Sequence, residues 1–376
     1  MRRPTLPGFS RGLLALVTVA GAGGTVVTCG PSQLAPIRAI DASILQIDGS
    51  VADTAGDQAA PPDTGPADVP MAEGSVPEIP VELNCPTTLV GFANETPGTT
   101  GGVVTASTLA QLMTFAMDPN PLTIEIGTMI QVTGNAVQVR VQSNKTIRGT
   151  AAGAGLSGAG FYIKEVTNVL MQNLTIARAL GTDAIGVDNS SNVWIDHCDL
   201  SSDMTMMKGT YDGLIDIAHG SRSITVSWNL FHDHFNPTLV GGSNATGVED
   251  ANLAVTYHHN RFLRTGNNHP RVRFGRVHVF NNLYQEISGN AIASVMGARV
   301  KVERNVFEGV KSPMVTTYEM DPESGFINED DNLYDSGSLF DRSTLVLTAW
   351  TPDYRYTPDP VSMVRALVIH CAGANL

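Results

Sequence analysis

The chain has 376 residues, 42% of them hydrophobic, with 37 Gly, 21 Pro and a formal charge of −13 at pH 7. That length suffices for one large domain or two ordinary ones. The net negative charge argues against nucleic acid as a partner, and nothing in the sequence implies a protein partner.

In chain order, Arg2, Arg3 and Arg11 precede the apolar run "GLLALVTVAGAG". Basic residues before a short apolar region read as a secretory signal over residues 1–29. The run is too short and too rich in Gly for a membrane span. Cys29, in "VVTCG", stands where a lipid-modified cysteine would sit, although Thr28 is larger than usual before such a cleavage point. Cleavage and simple release into the medium is the alternative. Residues 30–84 are rich in Pro, Ala, Gly and Asp, lack an apolar period, and carry nine acids against the single base Arg38. This composition predicts a disordered, self-repelling acidic spacer. The ordered part, residues 85–376, opens at Cys85 and nearly closes at Cys371, a candidate disulfide in an exported protein. Cys198 lies in an apolar strand-like run and reads as a buried free thiol. "ASTLAQLMTFAM" (Ala106 to Met117) predicts a capping helix, with Ser107 or Thr108 as N-cap and Leu109, Leu112, Met113 and Ala116 on one face. Asp118-Pro119 ends it.

A repeat follows. "TNVLMQNLTI", "SNVWIDHCDL", "RSITVSWNLF", "NLAVTYHHNRF", "RVHVFNNLY" and "ARVKVERNVF" each alternate apolar and polar residues, reach Asn or Cys, and end on an apolar residue. The aligned positions are Asn173, Cys198, Asn229, Asn260, Asn282 and Asn305, spaced 25, 31, 31, 22 and 23. Alternation signals strands. Units of this length with no helix between them predict coils of an all-β parallel solenoid. A β-sandwich would instead show hairpin turns about every 8–12 residues. In a stack, the Asn side chains can form a ladder at one turn. Beyond about Asn332 the pattern fades, and the C-terminal stretch is expected to pack back along the coils.

Three acids stand out as a candidate cation site: Asp183 in "TDAIGVDNS", and Asp212 and Asp216 in "YDGLIDI". Asp183 and Asp212 lie about one coil apart, so stacking brings them together. Clustered carboxylates in an acidic domain repel unless a cation joins them, and hard oxygen ligands favour Ca²⁺; a solvated acidic loop is the plainer reading. His232, His234, His258 and His259 are less suited to a metal, because neighbours on a strand face opposite ways. Arg271 and Arg273 alternate around Val272, so both guanidinium groups leave one face and call for an anion opposite.

The segments "TTGG" (Thr99–Gly102), "NKTIRGTAAGAGLSGAGFYIK", "DAIGVDNSSNVWIDHCDLSSD", "YDGLIDIAHGSRSITVSWNLFHDH" and "HPRVRFGRVHVFNNLY" resemble the extracellular pectate lyases and, more broadly, the polysaccharide lyase family that also holds the pectin lyases. The resemblance runs from about Val90 to Tyr334. It implies a right-handed parallel β-helix and Ca²⁺-dependent β-elimination on polygalacturonate or another pectin-type polysaccharide. It places Asp183, Asp212 and Asp216 at the calcium ligands and Arg273, with Arg271 beside it, at the substrate carboxylate. Two positions depart from the pattern. Asn268 stands where the family has its arginine base, and Asn236 where it has a lysine. A neutral amide takes no proton. His269 is then the nearest alternative base, and Arg264 a further cation. Other readings are a binding protein without turnover, a lyase with a changed base and substrate, or a hydrolase using Asp196 and Asp233.

Overall fold

The computed structural model describes residues 85–374 except 94, 96, 99 and 319. They wind into three sheets of ten, eight and nine strands, in which every strand–strand pairing is parallel. Each coil contributes one strand to each sheet. Thr167–Gln172, Thr175–Ala177 and Ile185–Asp188 make one coil; Ser191–Asp196, Asp199–Ser201 and Ile215–Ala218 make the next. The all-β solenoid expected from the repeat is the fold.

One corner of each coil explains the repeat. After the first strand, one residue takes a left-handed conformation: Asn173, His197, Trp228, His259, Asn281, Arg304 and Asp331, all with φ between 48° and 55°. The next residue turns its side chain along the stack. Asn260 Oδ1 accepts from the N–H and Nδ2 of Asn229, and Asn260 Nδ2 donates to Asn282 Oδ1 and to the carbonyl of Val226. Asn282, Asn305 and Asn332 continue the ladder. Amides are used because each carries both donors and acceptors, so a buried turn leaves no main-chain group unpaired. Asn173 is not in this ladder. Gln172 pairs with Asp196, which puts Asn173 in register with His197 and leaves Leu174 opposite Cys198. Cys198 is a buried free thiol, and its N–H donates to Asn229 Oδ1.

The interior holds an aliphatic column and a ring stack, Phe231–Phe262–Tyr284–Phe307–Tyr334, with centroids 4.6, 4.9, 4.7 and 5.2 Å apart. Like residues stack because parallel coils repeat about every 4.8 Å. The N-terminal helix, Leu109–Ala116, is capped by Thr108, whose hydroxyl accepts from Gln111 N–H. Leu112 and Ala116 are buried and Leu109 packs beside them, whereas Met113, expected on the same face, is 41% exposed. The stripe that meets the first coil is one residue narrower than the sequence pattern.

The C-terminal helix, Val361–Cys371, lays Val364 and Val368 on Leu283 and Val306, and Cys371 is disulfide-bonded to Cys85 with Cα atoms 5.4 Å apart. Ahead of it, Tyr354 and Tyr356 bind His278 and Glu303, and Asp359 binds His259. These contacts place the returning segment on the ten-stranded sheet. The outer face of the eight-stranded sheet does not receive it.

Candidate functional site

The eight-stranded sheet and the turns that enter it carry every residue at which the sequence placed calcium, substrate or the family's base and lysine. Ile215–Ala218 holds Asp216; Arg271–Arg273 holds the two arginines; Asp183, Asp212, Asn236 and Asn268 precede four of its strands. Register aligns one outward row across the coils: Arg140, Tyr162, Gly186, Asp216, Leu239 and Arg271. Because side chains alternate, the residues between them, such as Val187, Ile217 and Val272, fill the core.

Asp183, Asp212 and Asp216 converge, each presenting a carboxylate oxygen within 4.8 Å of the others. Asp183 accepts from Gly213 N–H at 2.9 Å, and Asp216 from Leu239 N–H at 3.0 Å. Burial, and then the Asp212 charge, push Asp183 up to about 6. Burial first, then Asp183 and Asp212, raise Asp216 well above the ordinary carboxylate range; the Leu239 N–H and Arg273 oppose this. Gly213 makes the cluster possible: a Cβ there would lie 2.4 Å from Asp216 Oδ1. Three oxygen donors that repel one another in a space only glycine leaves open suit a hard divalent cation.

The arginines face an anion within the chain. Arg273 Nε donates to Asp321 Oδ1 at 2.9 Å, and Arg271 Nε to Asp321 Oδ2 at 2.9 Å, with a second, shorter contact from Arg271 Nη2. The Asp321 side chain is fully buried. Arg271 also lies over the Tyr318 ring, 4.1 Å from its centroid. Arg273 is further held by Asn244 Oδ1 and the Gly241 carbonyl. The expectation that substrate supplies the anion opposite both arginines is therefore corrected. Arg271 is consumed by Asp321 and Tyr318, and Arg273 is held in place by the same carboxylate. No sequence pattern announced Asp321, which lies 48 and 50 residues from its partners.

His269 does not serve as the base. It is fully buried, with Nε2 against Thr265 Oγ1 at 2.7 Å and Nδ1 directed at main-chain carbonyls, and burial drives it down to about 3. Asn268 is 8% exposed, sits at φ 67°, and its buried Oδ1 has no hydrogen-bond partner. The preceding residue, Asn267, lines a hollow of about 540 Å³ together with Asn290, Thr317 and Tyr318. Asn236 is half-buried, its N–H donating to His234. Arg264 grips Asp233 through two hydrogen bonds. Asp196 is buried beneath Ser227 and His197 on the ten-stranded sheet, so Asp196 and Asp233 do not flank a common bond. The histidines stay apart: His258 and His259 bind each other and Asp359, while His232 bridges Asp199 and Asp233.

The open face of the solenoid carries the acid triad and, two coils on from Asp216, the pair of arginines, so charged groups are spread along the stack. Known proteins share this build. The family model described as pectate lyase matches residues 85–375. A probable pectate lyase B of Aspergillus flavus is 40% identical over 225 residues, covering 58% of this chain and 68% of its own. A pectate trisaccharide-lyase of Bacillus licheniformis is 34% identical over 300 residues, covering 76% and 86%. Among solved structures, a pectate lyase from Bacillus sp. N165 in complex with trigalacturonate superposes with a TM-score of 0.69 at 29% identity, covering 76% of this chain and 98% of that one. The chain belongs to the pectate lyase family, and is a polysaccharide lyase.

Proposed function

We propose that the protein cleaves polygalacturonate by β-elimination with calcium held at Asp183, Asp212 and Asp216. The observation that carries this is the glycine-floored acid triad on the same sheet face as Arg273. Bound there, calcium supplies positive charge that draws in the uronate carboxylate and stabilises charge developing beside it. The chain's own groups do the rest. Asp321 orients Arg273 and sets its charge beside the triad, where a planar guanidinium suits a carboxylate. Neither Asn268 nor Asn236 carries charge or takes a proton, and His269 is sealed in the core; the C5 proton therefore passes to a solvent water, its electron pair forms the C4–C5 double bond, and the 4-oxygen leaves with a proton from solvent, so the elimination is slow compared with the family pattern that has an arginine and a lysine at these positions. Residues 85–376 form the catalytic domain, tethered by the acidic spacer 30–84 behind an export signal, so that the enzyme works outside the cell. Cys29 lies outside the described residues.

The test follows the ultraviolet absorbance of unsaturated uronates with polygalacturonate, esterified pectin and alginate, with and without Ca²⁺. Product from polygalacturonate only when Ca²⁺ is present is the expected result. Binding of the polymer without any unsaturated product refutes catalysis and leaves a binding protein.

A further inference from the structure

Resting on the polygalacturonate reading, we propose that Arg140 and Tyr162 form a distal uronate subsite. It lies on the N-terminal side of the acid triad and makes the protein prefer long chains to short ones. Tyr162 is the outward neighbour of Gly186, which in turn pairs with Asp216. Gly186 lets the two meet: a Cβ at that position would lie 3.1 Å from Asp183 Oδ2 and 3.2 Å from Tyr162 Cδ2. The tyrosine ring therefore borders the triad directly, with no side chain between.

The ring is fixed. Its hydroxyl donates to Asp188 Oδ2 at 2.9 Å, and the same carboxylate oxygen lies 3.0 Å from His219 Nδ1 and 3.6 Å from Lys164 Nζ. Lys164 is thereby neutralised. Arg140 is different. It pairs with Tyr162 across the sheet, is exposed, and makes no ion pair among the described residues. Its guanidinium lies 5.6 Å from the Tyr162 centroid, a loose contact on the surface. A fixed aromatic ring beside an uncommitted guanidinium offers a sugar's apolar face a platform and its carboxylate a partner. In a protein of net charge −13, an unpaired cation on the open face is a specific attraction for a polyanion.

The spacing explains the length preference. From Arg271 to Arg140 the row crosses five strand-to-strand steps, about 24 Å at ~4.8 Å per step. A trisaccharide seated at the arginines and the triad stops short of Arg140, whereas a hexasaccharide reaches it.

The experiment is calorimetric titration of the full chain in Ca²⁺ with trigalacturonate and with hexagalacturonate, for wild type, Arg140→Gln and Tyr162→Leu. Circular dichroism and Ca²⁺ titration without sugar establish that each variant keeps its fold and its triad. Either variant should weaken hexagalacturonate binding about tenfold and leave trigalacturonate within about twofold, and Arg140→Lys should restore part of the loss. Unchanged hexagalacturonate binding in both variants overturns the subsite, as does an equal loss for both sugars. Failure of the lyase reading looks different. Wild type would then bind hexagalacturonate better than trigalacturonate yet release no unsaturated product, and the variants would still report on Arg140 and Tyr162.

Discussion

Replacing Asp321 with Asn tests whether one buried carboxylate holds the arginine pair together. Arg271 and Arg273 are two residues apart on a strand, about 6.7 Å, and at an effective dielectric of about 20 their charges repel by ~2.5 kcal/mol. Each arginine gains roughly 4 kcal/mol from Asp321 at a charge separation of about 4 Å in the same dielectric. Most of that gain is offset by the cost of burying a carboxylate with no solvent exposure. Breaking such a buried network from one side costs about 3–5 kcal/mol. Asparagine keeps the shape and one acceptor oxygen, so the expected loss lies near 3 kcal/mol, or roughly 6–12 °C in melting temperature. Calorimetric melting measures it. The partner change Arg271→Leu removes the repulsion, so Asp321→Asn with Arg271→Leu should melt above the sum of the two single losses. Asp321→Asn melting within about a degree of wild type, or strict additivity in the cycle, would refute the reasoning.

Asp212→Ala removes one of three oxygen donors and should weaken Ca²⁺ binding at least tenfold by calorimetry, while also relieving the repulsion that raises Asp183 and Asp216; unchanged affinity would show that the triad is not the cation site. The pair Asn236→Lys with Asn268→Arg should raise turnover on polygalacturonate by more than the two single changes multiplied, since groups acting as a unit are non-additive. Arginine at the left-handed position 268 is compatible with a fold that already places Arg178, Arg264 and Arg304 at positive φ, and a multiplicative result would argue against a shared role. Glu303 is held down from 4.5 to about 2, since hydrogen bonds from His278 and Tyr356 and the Lys301 charge outweigh its burial. A depressed carboxylate contributes stability that is present above its unfolded value and is lost as pH falls through its folded one, here between about 5 and 2. Glu303→Gln should therefore cost about 3 kcal/mol at pH 7 and close to nothing near pH 2 in denaturant unfolding; a pH-independent cost would assign the residue a packing role alone.

The sequence by itself determined the solenoid. Strands that repeat at coil length with Asn at one corner satisfy buried turns in only one way, so the pattern is local and legible. Asn173 was misplaced by one residue because both the left-handed position and the ladder position accept asparagine, as Asn281 and Asn282 show side by side. The acid triad was legible as well, since Asp183 and Asp212 are one coil apart and stacking converts that spacing into contact. What surrounds them was decided by tertiary structure. Asp321 reaches Arg271 and Arg273 across 50 and 48 residues from a segment that carries no repeat. His269 looks like a base in the chain and is a core residue in space, because the bend ahead of Arg271–Arg273 turns that side chain inward against Thr265 and Tyr284. Charge pairing and burial depend on which coils lie next to one another, and sequence distance does not encode that once the coils differ in length.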